Sequence, residues 1–191
     1  MKLNESATNP MFVGAMQLMK AEDTPEHRKL FSEELKNATL LSPVYVLPEP
    51  QEGPDGKKVL APGSKVQFPM ITTKDKKTFF VMYTDLACME AAIDAEGNPT
   101  PEIFRSNYMA VDIAEIGGLL AQKGPNGEEN PASGIIINPF NENMVVGKEM
   151  AIYYFERKME AVRAKAEAAM QEKLKSQEDP DKVIPFPGNK S

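Results

Sequence analysis

The chain has one cysteine, Cys88, and one histidine, His27. A single thiol excludes an internal disulfide framework and fits a reducing compartment. That count also excludes a zinc site of the usual His/Cys type, and neither a metal nor a cofactor is expected. No apolar run approaches the ~18–20 residues that cross a bilayer. Residues 1–6, Met-Lys-Leu-Asn-Glu-Ser, carry no apolar core of a secretory leader. Runs of Lys and Arg are lacking too. With a net charge of −6, the chain has no basic patch to neutralise phosphates, which argues against nucleic acid. The expectation is a soluble cytoplasmic protein with no membrane contact.

What the chain does have is apolar residue. At 191 residues and 41% hydrophobic, it is long enough for one domain with a sizeable core and an appendage. The stretch Gly134-Ile135-Ile136-Ile137-Asn138-Pro139 organises the rest. Three consecutive β-branched residues predict a fully buried strand, and Asn-Pro ends it. Pro10 and Pro25, each behind a capping Asn9 or Thr24, open two helices. Residues 40–47 and 65–71 read as strands, with Pro43 placing the first at an edge or bulge. In the second, Val66, Phe68 and Met70 alternate inward. Residues 78–83 complete a hairpin with 65–71. Thr84-Asp85 caps a helix over 86–95, with Leu86, Met89, Ala92 and Ile93 facing in. Tyr108 to Val111 is a short strand, and Asp112 caps a helix in which Gly117-Gly118 lets another backbone come close. The loop over 48–64 is long for a connection, so it is either mobile or a short extra hairpin through Lys58 to Leu60.

From Lys148 to about Gln177, Ile152, Phe155, Met159, Val162, Ala166 and Ala169 step by three and four. Such a helix is about 45 Å long, more than a domain of this size usually covers. Its alanine-rich second half supplies helix propensity rather than apolar area. The predicted layout is an α/β domain of mixed α+β type over 8–147, with a central mixed sheet and packed helices. A long C-terminal helix follows over 148–178, then a flexible Pro-containing tail over 179–191. The Val183–Phe186 stretch in that tail is a candidate linear contact.

Four segments in order carry a resemblance. Pro25-Glu26-His27-Arg28-Lys29-Leu30-Phe31 with Leu35 and Ala38 is similar to the opening of the SseB (enhanced serine sensitivity) N-terminal domain. Phe79 to Asp85 resembles that family's strand-to-helix junction, Asp112 to Ile116 its next helix, and Gly134 to Pro139 its strand ending in Asn-Pro. The likeness covers roughly residues 8–150. It implies a mixed α/β fold, a bacterial cytoplasmic source and no defined reaction. Longer family members carry a second domain where this chain has a helix and tail. Any role lodged in that second domain does not carry over.

No catalytic constellation is visible. His27 stands in the first turn of a charged helix and Cys88 among apolar neighbours, so both read as structural. Thr84-Asp85 at a strand-to-helix junction could hold a small anion, although plain capping uses the same atoms. Asn138, Asn141 and Asn143 could line a polar pocket where open α/β sheets bind ligands, although Asn is ordinary in turns. The expected function is a non-catalytic binding module. It would meet a protein partner or another copy of itself through Ile152, Phe155, Met159, Val162 and Ala166. A small-ligand sensor for an amino acid or metabolite, with a polar pocket near Asn138, is the alternative. An enzyme ranks third.

Overall fold

The computed structural model describes residues 2–54, 57–93, 97–98 and 107–177. The chain divides into two compact units, Met1–Glu156 and Arg157–Ser191. The first is an α+β unit. Its strands are β1 (Lys2–Leu3), β2 (Leu40–Pro43), β3 (Tyr45–Leu47), β4 (Gln51–Glu52), β5 (Lys58–Val59), β6 (Lys65–Gln67), β7 (Met70–Thr72), β8 (Thr78–Met82), β9 (Tyr108–Val111), β10 (Gly134–Ile137) and β11 (Met144–Gly147). Its helices are α1 (Pro10–Ala21), α2 (Pro25–Asn37), α3 (Leu86–Glu90) and α4 (Ile113–Ala121). Helix α5 (Lys148–Gln177) begins in the first unit and continues as the second.

The predicted central strand is at the centre. A four-stranded mixed sheet runs β11-β10-β8-β7. Strand β10 lies parallel to β8, with Ile135 opposite Phe80 and Ile136 opposite Val81. It is antiparallel to β11. Both faces of the β8–β10 pair are buried, which is why these strands are continuously apolar rather than alternating. Phe80, Met82, Ile135 and Ile137 point into the main core with Phe12, Leu35 and Ile116. Phe79, Val81 and Ile136 enter a second core with Leu41 and Met89. A three-stranded sheet, β1-β9-β2, joins the larger one through reciprocal bonds between Leu41 and Tyr83, 2.9 and 2.7 Å long.

Several sequence expectations need correction. The 65–71 segment is not one strand. It breaks at Phe68-Pro69, so β6 pairs with β3, and only β7 forms the hairpin with β8. Proline offers no N–H to a ladder, and the alternation slips by one residue after it. Pro69 is buried and Met70 is 43% exposed, opposite to the predicted pattern. The 40–47 segment likewise divides at Val44. Helix α3 stops at Glu90, and Ile93 is exposed rather than inward; residues 94–95 lie outside the described residues. The extra hairpin in the 48–64 loop forms as β4–β5.

Thr24, Asp85 and Asp112 cap their helices as expected, the last in a full capping box with Glu115. Asn9 does not cap α1. Gly117 is needed for close approach: a Cβ there would fall onto the Ala151 carbonyl oxygen of α5. Tyr154 of α5 is buried, and its hydroxyl donates to the Ser32 carbonyl at 2.9 Å, so the Ser32 hydroxyl donates to it at 2.5 Å. The tail stretch Val183–Phe186 lies outside the described residues.

Candidate functional site

The parallel register of β8 and β10 brings their C-terminal ends together, and with them Thr84 and Asn138. Both are buried. The Thr84 backbone N–H donates to Asn138 Oδ1, and Asn138 Nδ2 donates to Thr84 Oγ1, each at 3.0 Å. The Thr84 hydroxyl donates in turn to Asp85 Oδ2 at 2.9 Å. Asp85 Oδ1 accepts the Cys88 N–H at 2.8 Å, which caps α3. On the other side of Thr84, Asn9 Nδ2 donates to the carbonyls of Thr84 (2.6 Å) and Thr39 (2.8 Å). Asn9 Oδ1 accepts the Thr39 N–H. Buried polar groups must find partners, and here two side-chain amides satisfy backbone at two chain segments, Thr84 and Thr39. This explains why Asn9 is not a cap: its amide is spent across the fold.

After Asn138 the chain turns sharply. Asn138, Phe140 and Asn143 all have positive φ, at 48°, 67° and 52°. Asparagine tolerates that region; phenylalanine there stores about 1–3 kcal/mol of strain. Asn143 holds the turn, its Oδ1 accepting the Phe140 N–H at 2.8 Å. Between this turn and α3 lies an open groove of about 430 Å³, lined by Ala87, Cys88, Ala91, Ala92, Ile93 and residues 138–141. Of the residues proposed from sequence for ligand binding, Asn138 and Asn141 line the groove. Thr84 and Asp85 lie behind it in the hydrogen-bonded cluster, and Asn143 braces the turn.

The surroundings of Cys88 fit a quiet site. Burial pushes the Cys88 thiol above its ordinary value; the hydrogen bond from Thr84 opposes this, while the Asp85 and Glu142 carboxylates reinforce it. A thiol so held is a poor nucleophile at neutral pH. His27 Nδ1 sits 2.6 Å from the Glu22 carbonyl, which can only accept, so that nitrogen carries the proton and closes the C-terminal end of α1. No hydrogen bond or ion pair joins His27 to Cys88. Among the described residues no group of three or more His, Cys, Asp or Glu side chains could hold a metal ion. No helix among them is long and apolar enough to cross a membrane.

The proposed interaction residues divide along α5. Ile152 and Phe155 are half-buried against the main core. Met159 and Val162 are 36% and 52% exposed, and every residue over 156–174 is exposed, Ala166 included.

The two segments that pair at the centre, Phe79 to Asp85 and Gly134 to Pro139, are also those whose sequences resemble a known family. The model of the SseB protein N-terminal domain matches residues 13–150. The chain belongs to that family. The match takes in α2, the four-stranded sheet, the Thr84–Asn138 cluster and the first residues of α5, and ends before the exposed part of the helix. No curated protein and no solved structure matches the chain. Sequence reasoning on this SseB domain missed Asn9 as a partner of Thr84, because an Asn before Pro reads as a cap.

Proposed function

We propose that the chain is a non-catalytic binding module of bacterial cytoplasm and that α5 engages a protein partner or a second copy. The observation that supports this is the run of exposed apolar side chains on one helix. Met159, Val162, Met170 and Leu174 are 36%, 52%, 66% and 53% exposed, three or four residues apart with Ala166 completing the spacing. Exposed helix is held by propensity and by local ion pairs such as Arg157–Glu160, and pairs of that kind contribute a few tenths of a kcal/mol each. A partner would bury the stripe and stabilise the helix together.

Sedimentation of the full chain against a version ending at Lys158 tests the reading, with a pull-down from native lysate alongside. A larger mass, or a captured partner, that disappears on truncation is expected. Equal monomeric mass with no partner lost would refute it. A second reading, a small-ligand sensor, draws on the groove beside Asn138. Its test is a thermal shift that an amino acid or metabolite produces and that Ala91→Trp, which fills the groove, removes.

A further inference from the structure

Asn126-Gly127 is the chain's one Asn-Gly pair. In such a pair the glycine has no side chain to hinder its backbone nitrogen, which can attack the asparagine side-chain carbonyl carbon. The new N–C bond closes a succinimide ring, and the amide nitrogen leaves as ammonia with the glycine's proton. Water then opens the ring to aspartate or isoaspartate. Both residues are exposed in a turn between α4 and β10, so burial does not shield them.

The bonds of the turn oppose this reaction. Gly127 N–H donates to the Gly124 carbonyl at 2.9 Å, so the attacking nitrogen has its proton engaged. The Glu128 side chain folds over the same turn. Its Oε1 accepts from Asn126 Nδ2 at 2.9 Å, and its Oε2 from the Asn126 N–H at 3.2 Å. Gly124 makes room for it, since a Cβ there would lie 2.5 Å from Glu128 Oε2. The bond from the Asn126 amide holds the Glu128 carboxyl below its ordinary value. The acceptor is therefore ionised at neutral pH, and bonds to ionised acceptors are the stronger kind.

We propose that Asn126 is a site of spontaneous deamidation and that Glu128 is the positioning residue that holds it shut. To react, the Asn126 side chain must leave Glu128 Oε1 and turn its carbonyl carbon to the Gly127 nitrogen. Conversion then replaces the donor Nδ2 by an oxygen. The new carboxylate cannot donate to Glu128 and repels it, so the clasp does not form again.

The test follows residue 126 by peptide mapping while the full chain is kept at mildly alkaline pH and body temperature. The mass gain of amide-to-acid exchange and an isoaspartate assay report conversion. Residue 128 is exposed, so Glu128→Ala should keep the fold. It should convert roughly fivefold faster than the natural chain, the factor that a lost hydrogen bond implies. Glu128→Gln retains a neutral acceptor and should fall between the two. In denaturant the clasp is gone, and the natural chain and Glu128→Ala should convert at one common, faster rate. Equal rates for the two folded chains would overturn the proposal. So would a variant that stays faster in denaturant, because the effect would then come from the neighbouring residue type and not from the clasp.

Discussion

Ile152 and Leu174 sit on one helix, in one periodic pattern, and meet opposite fates. Ile152 is half-buried against a core of Phe12, Leu35 and Ile135, whereas Leu174 is 53% exposed. In Met1–Glu156 the apolar pattern is consumed by packing. From Arg157 to Leu174 the same pattern is exposed, and the alanines at 161, 164, 166, 168 and 169 supply helix propensity. A periodic stripe shows that a surface can be buried. Whether it is buried depends on the area its neighbours supply.

The sharpest way to break the contrast is at Gly117, where α4 and the first turns of α5 touch. Gly117→Ala puts a methyl group onto the Ala151 carbonyl oxygen. It should cost about 3 kcal/mol in denaturant unfolding. A loss under about 1 kcal/mol would mean the helices separate easily. Next comes Asn138→Ala, which leaves the buried Thr84 N–H without an acceptor. About 2 kcal/mol is expected. Asn9→Ala should cost nearly as much, and the two changes should not add, because both serve Thr84.

Tyr83 gives a pH test of the core alone. Burial pushes its phenol up to about 12. The fold therefore favours the protonated phenol. That contribution is full below the ordinary value of about 10 and disappears as pH rises through the folded value. Stability measured across the window from about 10 to 12 should fall more steeply in the natural chain than in Tyr83→Phe. Parallel curves would contradict the assigned burial effect. The smallest effect belongs to the exposed stripe: Val162→Gln and Met170→Gln together should change stability by less than about 0.5 kcal/mol, while lowering any mass above monomer in sedimentation. A large loss of stability from these two would show that the stripe is already packed.

The centre of the fold was legible because it is locally consistent. Ile135-Ile136-Ile137 and Phe79 to Met82 are apolar without interruption, and only a strand buried on both faces suits that. The caps at Thr24, Asp85 and Asp112 were legible because each acts within one turn of chain. Strand β11 was not, since Met144-Val145-Val146-Gly147 runs straight into a helix that dominates the pattern around it. The break at Phe68-Pro69 was hidden because Val66, Phe68 and Met70 alternate well on either side of a proline. At the candidate site, Thr84 and Asn138 were both singled out, but their bonds to each other depend on a parallel register across 54 residues. Asn9 joins them from 75 residues away from Thr84. No short-range pattern reports such distances.

That register also sets an order of events in synthesis. Strand β8 finds its hairpin partner β7 at once, but its other edge waits for β10, which in turn is flanked by β11. A growing chain that ends at Val111 thus offers Phe79 to Met82 on an open strand edge. Unpaired edges of this kind invite wrong pairing, and long loop closures come late. Synthesis stalled between β9 and β10 would therefore leave that apolar edge without its native neighbour, open to pairing with another chain.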